Sequence, residues 1–426
     1  MFNTKTSIID ASSHSNSRSE IRLDPDRLYT GNIRLGNLGC VTNQSYYYTQ
    51  TSGIYSLIQN IYLYDGKQLL DQLPEAHHLL AFRTLAQEDP KNNRNGFNFN
   101  VGQYLSGTTN SYRLETDTVG IPPGYGVVAE SNSNVPKRVQ LMAREVNTTN
   151  SSATTSQGWL NLQQHFKFLS SMMYQVGGQS MPLVDTSVFR NLRVIIEWRS
   201  SAELHSCFQG ATAGVTANML QPQLYCDEII GEMNLPKSMS FIYNAYELDK
   251  VNCNGSVGAT TINTKARSNA YNGKYLQRLL WMNVDPAKLT DANAGNNDGV
   301  KCDGSMAMNE VIQLLVNGQT LFDFNGIDTN ARKLAFLTGA WGSMNIPVGS
   351  NLTSLTRSSD LLDKSVQNLV GKLSYGGALV NQRVTELQVE HSRVVTGASN
   401  AFTIYLIGEV PKQLVMNNGS YTVSYA

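Results

Sequence analysis

Two histidines stand side by side at His77-His78, and a pair of imidazoles is the first feature of this sequence that could do chemistry. On a helix, neighbouring side chains point about 100° apart, so the pair lacks the i, i+4 spacing with which one helix face grips a metal. His14, His165, His205 and His391 show no ligand spacing either, and structural roles are expected for these four. The stretch "DANAGNNDG", Asp291 to Gly299, has the outline of a calcium loop. Its twelfth position counted from Asp291 is Cys302, where such a loop needs a bidentate glutamate, so a solvated turn is expected. "VGGQS", from Val176, has neither the lysine nor the glycine spacing of a phosphate-binding loop. There is no G-x-S-x-G, no H-E-x-x-H and no paired-cysteine motif. The residues nominate no catalytic, cofactor-binding or metal-binding side chain; no cofactor and no enzymatic activity are expected.

Cysteine and charge point the same way. Cys40, Cys207, Cys226, Cys253 and Cys302 are odd in number and irregularly spaced, which fits free thiols better than a disulfide framework. Lys plus Arg and Asp plus Glu stand at 33 each, with no run of four basic residues, so direct nucleic-acid binding is not expected. No window approaches the ~20 apolar residues of a transmembrane helix. The N-terminal "MFNTKTSIIDASSHSNSRSE" lacks the basic-then-apolar pattern of a signal peptide, so the protein is expected to stay inside a cell or to leave it by assembly rather than secretion. The Asn-X-Ser/Thr sequons then follow from Asn, Ser and Thr richness.

The elements that would carry any function are repeated. "LYDGKQLLD", Leu63 to Asp71, returns as "LVNGQTLFD", Leu315 to Asp323. Each reads as strand, tight turn and second strand, with Asp65-Gly66 and Asn317-Gly318 as turn dipeptides and Leu63, Leu69, Leu315 and Leu321 at packed positions. "LAFRT" (Leu80 to Thr84) and "LAFLT" (Leu334 to Thr338) follow in helix-like segments, opened by Pro74 in one copy and by Asp328-Thr329-Asn330 in the other. A repeat this long exceeds a solenoid unit of about 20 to 50 residues and implies a duplicated domain. The 426 residues suffice for two cores.

Residues 1–25 are Ser- and Asn-rich with little periodicity and read as an extended N-terminal arm, ordered only if something holds it. Residues 26–236 form the first domain and 237–426 the second. In the first, a helix is expected over about 74–87 and another over Leu160 to Val176, where Leu162, Phe166, Leu169 and Met173 recur at helical spacing before Gly177-Gly178. Residues 88–158 are a long polar stretch with a strand candidate at Val139 to Val146, and "NTTNSSATTSQG" (Asn147 to Gly158) is its most exposed part by expectation. "LRVIIEW" (Leu192 to Trp198) and "QLYCDEII" (Gln223 to Ile230) read as sheet strands. The second domain offers strands in "SMSFIYNAYEL" and "YLQRLLWMNV", a helix over Ser358 to Leu373, and three terminal strands. The fold class is all-β with a few short helices.

Two tandem barrels with a helix after the repeated hairpin, then "MPLVDTSVFRNLRVIIEWR" and a terminal "IYLIGEVPKQLVMNNGSYTVSYA", resemble the double jelly-roll major capsid proteins, nearest to those of polinton-like viruses and virophages. The resemblance runs from about residue 25 to the C-terminus. It implies two eight-stranded jelly rolls standing roughly normal to a shell, and homotrimers whose six barrels make a pseudo-hexagonal capsomer of an icosahedral double-stranded DNA virus. It further implies a place in the virion and penton and minor capsid proteins as partners. The competing class is a two-domain β-sandwich that binds a receptor or glycan through its polar loops; a third is a carbohydrate-active enzyme on a β-sandwich.

Overall fold

The computed structural model describes residues 3–42, 46–47, 53–86, 145–146, 158–176, 178–207, 216–231, 233, 235–254, 261–284, 311–322, 326–328, 330–342, 375–394 and 401–426. In the first half the principal strands are β1 (Asn3–Asp10), β2 (Arg18–Arg22), β3 (Leu28–Leu38), β4 (Ile58–Asp65), β5 (Gln68–Leu73), β6 (Gln179–Asp185), β7 (Leu192–Trp198) and β8 (Gln223–Ile230). They lie in two antiparallel sheets, one in the lateral order β1, β8, β3, β6 and the other β2, β7, β4, β5.

The second half has β9 (Ser238–Asn254), β10 (Thr261–Ser268), β11 (Tyr275–Val284), β12 (Val311–Val316), β13 (Gln319–Thr320), β14 (Tyr375–Arg383), β15 (Leu387–Val394) and β16 (Ala401–Asn417). Its sheets run β9, β16, β11, β14 and β10, β15, β12, β13. Counted within each half, both read first, eighth, third, sixth and second, seventh, fourth, fifth. That shared order is the eight-stranded jelly roll, present twice. Short strands widen the sheets, among them Met173–Val176 beside β6 and Ser420–Tyr425 beside β16. A helix follows the fifth strand of each half, α1 (Ala76–Ala86) and α2 (Asn330–Trp341).

The repeated strings are the fourth and fifth strands of each barrel, with one correction. The turn between β4 and β5 is Gly66-Lys67, because Asp65 pairs with Gln68, whereas β12 and β13 close on Asn317-Gly318, because Val316 pairs with Gln319. Gly66 is therefore the first central residue (φ +56°), as a type II′ turn requires, while Asn317 and Gly318 both have positive φ, as type I′ requires. A register shift between Leu63 and Tyr64 absorbs the difference. One step of register swaps faces in a strand. Leu63 is accordingly buried, but Leu315 is half-buried between buried Leu314 and Val316.

Residues 3–22 are not an arm. β1 pairs along its whole length with β8, and β2 pairs with β7, so the N-terminus supplies the first two strands of the first barrel. Order here comes from the main-chain ladder, since most β1 side chains are exposed. The helix expected over Leu160 to Val176 is also corrected. Strand Gly158–Asn161, single helical turns Leu162–His165 and Lys167–Ser171, and strand Met173–Val176 occupy it. Asn161 caps the first turn by accepting from the Gln163 N–H, and Phe166 between the turns is extended (φ −80°, ψ 112°). Leu162, Phe166 and Leu169 are core residues, but Met173 is exposed. The stretch 88–158, apart from the strand Glu145–Val146 and Gly158, and the helix expected over Ser358 to Leu373 lie outside the described residues, as does Asp291 to Gly299.

One apolar cluster fills the first barrel and continues into the second through Phe241, Tyr243, Tyr246, Trp341, Tyr405 and Leu414; another, around Trp281, Leu314 and Val389, belongs to the second barrel alone. In the latter, Trp281 lies across Gly376, its partner on β14, and a Cβ there would run into the indole. Gly376→Ala is therefore expected to cost about 1–3 kcal/mol by overpacking, read as a lowered urea midpoint, while Ala at Gly339, where a Cβ meets nothing within 4 Å, should leave it near wild type.

Candidate functional site

The side chains that work together lie in the seam between the barrels. Asp71, at the fifth strand of the first repeat, is buried there. Its Oδ1 accepts from the Gln72 N–H at 2.8 Å and its Oδ2 from the Phe168 N–H at 2.9 Å. Burial pushes its carboxyl up to about 7, against those two bonds and the nearby charge of Lys412. Tyr243 on β9 donates to the Leu70 carbonyl at 2.7 Å, and Gln72 Nε2 donates to the Tyr246 carbonyl at 2.8 Å. Phe168 packs edge-on against Phe189 and Tyr243, and Phe82 against Trp341. At the rim Tyr421 Oη donates to Asp65 Oδ2 at 2.7 Å. Hydrogen bonds and rings from both halves thus fix one barrel on the other.

A second cluster sits at the start of α1. Glu75 has positive φ (46°), which turns the chain into the helix and sets its carboxylate beside the first turn. Oε1 accepts from Lys250 Nζ of β9 at 2.6 Å and Oε2 from Gln59 Nε2 at 2.6 Å. His77 Nδ1 bonds the Ile58 carbonyl at 3.1 Å, a donor role that leaves Nε2 as the acceptor, 3.9 Å from Glu75 Oε2. The His78 ring lies 3.8 Å from that of His77 and meets Tyr405 of β16 edge-on. Both rings are buried. The sequence expectation that adjacent helical imidazoles diverge is corrected here: ligand atoms of Glu75, His77 and His78 come within 4.8 Å of one another.

Distance alone would suit a metal, but the charges oppose one. Lys250 already holds the carboxylate, and the Arg199 guanidinium and Lys250 ammonium both act on the two rings. The N-terminus of α1 adds partial positive charge. His77 is held well below the usual imidazole value by burial first, then by the charges of His78 and Arg199; His78 is lowered by burial, Arg199 and Lys250. The cluster is two neutral imidazoles wedged between fixed cations. Sequence reasoning missed it because Lys250 comes from the other half of the chain.

His14 bonds Ser19 Oγ and the Met219 carbonyl, and His165 and His391 are buried. Cys40, Cys226 and Cys253 are buried, and burial pushes the Cys226 thiol up to about 12. No helix among the described residues is long and apolar enough to cross a membrane.

Two barrels with one strand order, a helix after each fifth strand and a shared seam define a double jelly roll, the fold of viral major capsid proteins. The structure is similar over its full length to solved members of that class. Against the Sputnik virophage structure the TM-score is 0.56 at 12% identity, covering 99% of this chain and 88% of that one. Against VP54 of PBCV-1, fitted into a reconstruction of Sputnik, it is 0.55 at 9% identity, covering 100% and 98%. Against the mavirus major capsid protein it is 0.51 at 10% identity, covering 99% and 90%. At such identities the likeness is one of fold. No protein-family model and no curated protein matches the sequence.

Proposed function

We propose that this chain is a major capsid protein that self-assembles into homotrimeric capsomers tiling an icosahedral double-stranded DNA virus shell. The observation that carries the reading is one strand order used twice in one chain, with the two barrels locked by a common core. A threefold trimer packs with near-sixfold regularity when each subunit presents two similar wedges, and this chain supplies two. The barrels correspond to residues 3–236 and 237–426, the N-terminal strands belonging to the first. Residence in the virion, contacts with penton and minor capsid proteins, and the absence of an enzymatic role follow from the same reading.

Light scattering on the purified chain tests it. A species of about three times 46.9 kDa that forms hexagonal outlines in negative stain is expected. A stable monomer at micromolar concentration that binds a glycan array would instead favour the receptor-binding class.

A further inference from the structure

We infer that the seam between the two barrels is an acid-sensitive latch, in which His77 and His78 must remain neutral for the barrels to stay closed on one another. The inference concerns the single chain and goes beyond the capsid reading, so it can fail or hold whatever the chain assembles into. The geometry leaves little room for added charge. From α1 come the two rings, 3.8 Å apart; from the turn before it comes Glu75, already bonded to Lys250 and Gln59. From the end of β7 comes Arg199, buried, with Nη1 on the Ser56 carbonyl at 3.3 Å. β9 contributes Lys250, β16 contributes Tyr405 beneath the Lys250 ammonium, and the helix Ser201–Cys207 carries Glu203 near Tyr405. Among the described groups, Glu75 is engaged by Lys250 and Gln59, Glu203 stands beside Tyr405, and the Arg199 and Lys250 cations act on both rings, so a proton on either ring adds a further positive charge. Opening the seam lets water solvate those charges.

Linkage fixes the sign. Buried imidazoles of lowered affinity take up protons when they become exposed, so opening absorbs up to two protons once the pH falls below about 6.5. Asp71, in the same seam, works in the opposite sense. It is protonated in the closed state below about 7 and ionises on exposure down to about 4, releasing one proton. The net uptake between pH 6.5 and 4 is about one proton. The open population therefore rises about 10-fold per pH unit of acidification.

Hydrogen exchange on the full-length protein, corrected for the pH dependence of chemical exchange, reads this directly. Protection in Ile58–Asp65, Ala76–Ala86 and Ser238–Asn254 is expected to fall about 10-fold per unit from pH 6.5 to 4.5, while Leu387–Val394, in the second barrel's own core, keeps its protection. Asp71→Asn should steepen the seam response toward 100-fold per unit, since both proton uptakes then stand unopposed. His77→Asn with His78→Phe, which keeps a donor for the Ile58 carbonyl and a neutral ring opposite Tyr405, should reverse it. Uniform loss across all four segments, or flat protection of the seam in the wild type, overturns the latch. The wild-type profile decides the matter even if the double variant fails to fold.

Discussion

Replacing Arg278 with alanine is expected to destabilise the fold by about 3–5 kcal/mol, because it strands a carboxylate that has no access to water. Glu409 on β16 is fully buried and stands directly opposite Arg278 on β11. The guanidinium grips it in a fork, Nε to Oε2 at 2.6 Å and Nη2 to Oε1 at 2.9 Å. The same group donates from Nη1 to the Ala340 carbonyl at 3.1 Å, where α2 ends, and lies 4.1 Å over the Trp341 ring. One side chain therefore satisfies the buried acid, closes the helix and covers an aromatic at the seam. Urea denaturation of Arg278→Ala measures the cost. Pairing Arg278→Met with Glu409→Gln should recover most of it, since the uncompensated charge is then gone. A loss below about 1 kcal/mol for Arg278→Ala would mean that Glu409 finds solvent or a proton in the closed barrel, contrary to its burial.

Much of this architecture was readable from sequence wherever a strand is half-buried. "LRVIIEW" is β7, central in its sheet with buried residues at five of seven positions, and the repeated hairpins announced the duplication. What escaped detection did so for physical reasons. β1 is an edge strand whose side chains face mostly outward, so its hydrophobic pattern is nearly silent and its place is set by main-chain bonds to a strand some two hundred residues later. The Leu162, Phe166, Leu169 spacing does bury those side chains, but the extended Phe166 between single turns achieves this without a continuous helix. Tertiary packing overrode the periodicity. The Glu75–His77–His78 cluster depends on a left-handed glutamate and on a lysine from the other barrel, neither of which leaves a local signature. The seam as a whole was invisible for the same reason: its partners pair across halves, not along them.

That seam is where the second large effect is expected, at Phe168. The ring is fully buried and T-stacked on Phe189 of the first barrel at 5.4 Å and on Tyr243 of the second at 5.5 Å, while its own N–H holds Asp71. Phe168→Ala removes an aromatic from the centre of the cross-barrel cluster, a change that costs about 3–5 kcal/mol when the site cannot collapse. Collapse is restrained here, because Tyr243 is tied to the Leu70 carbonyl and Asp71 to two backbone N–H groups. The loss falls on coupling as well as on stability. The second barrel keeps a core of its own around Trp281 and Val389, so it should survive loosening of the shared cluster. Thermal unfolding of Phe168→Ala is accordingly expected to split into two transitions, the lower one exposing Tyr243 and Tyr174. Val389→Ala, in the private core, should lower the stability of the second barrel without weakening the seam contacts themselves. If Phe168→Ala unfolds in a single step with less than about 1 kcal/mol lost, the barrels are held together by the rim bonds at Asp65 and Glu75 rather than by the aromatic centre of the seam.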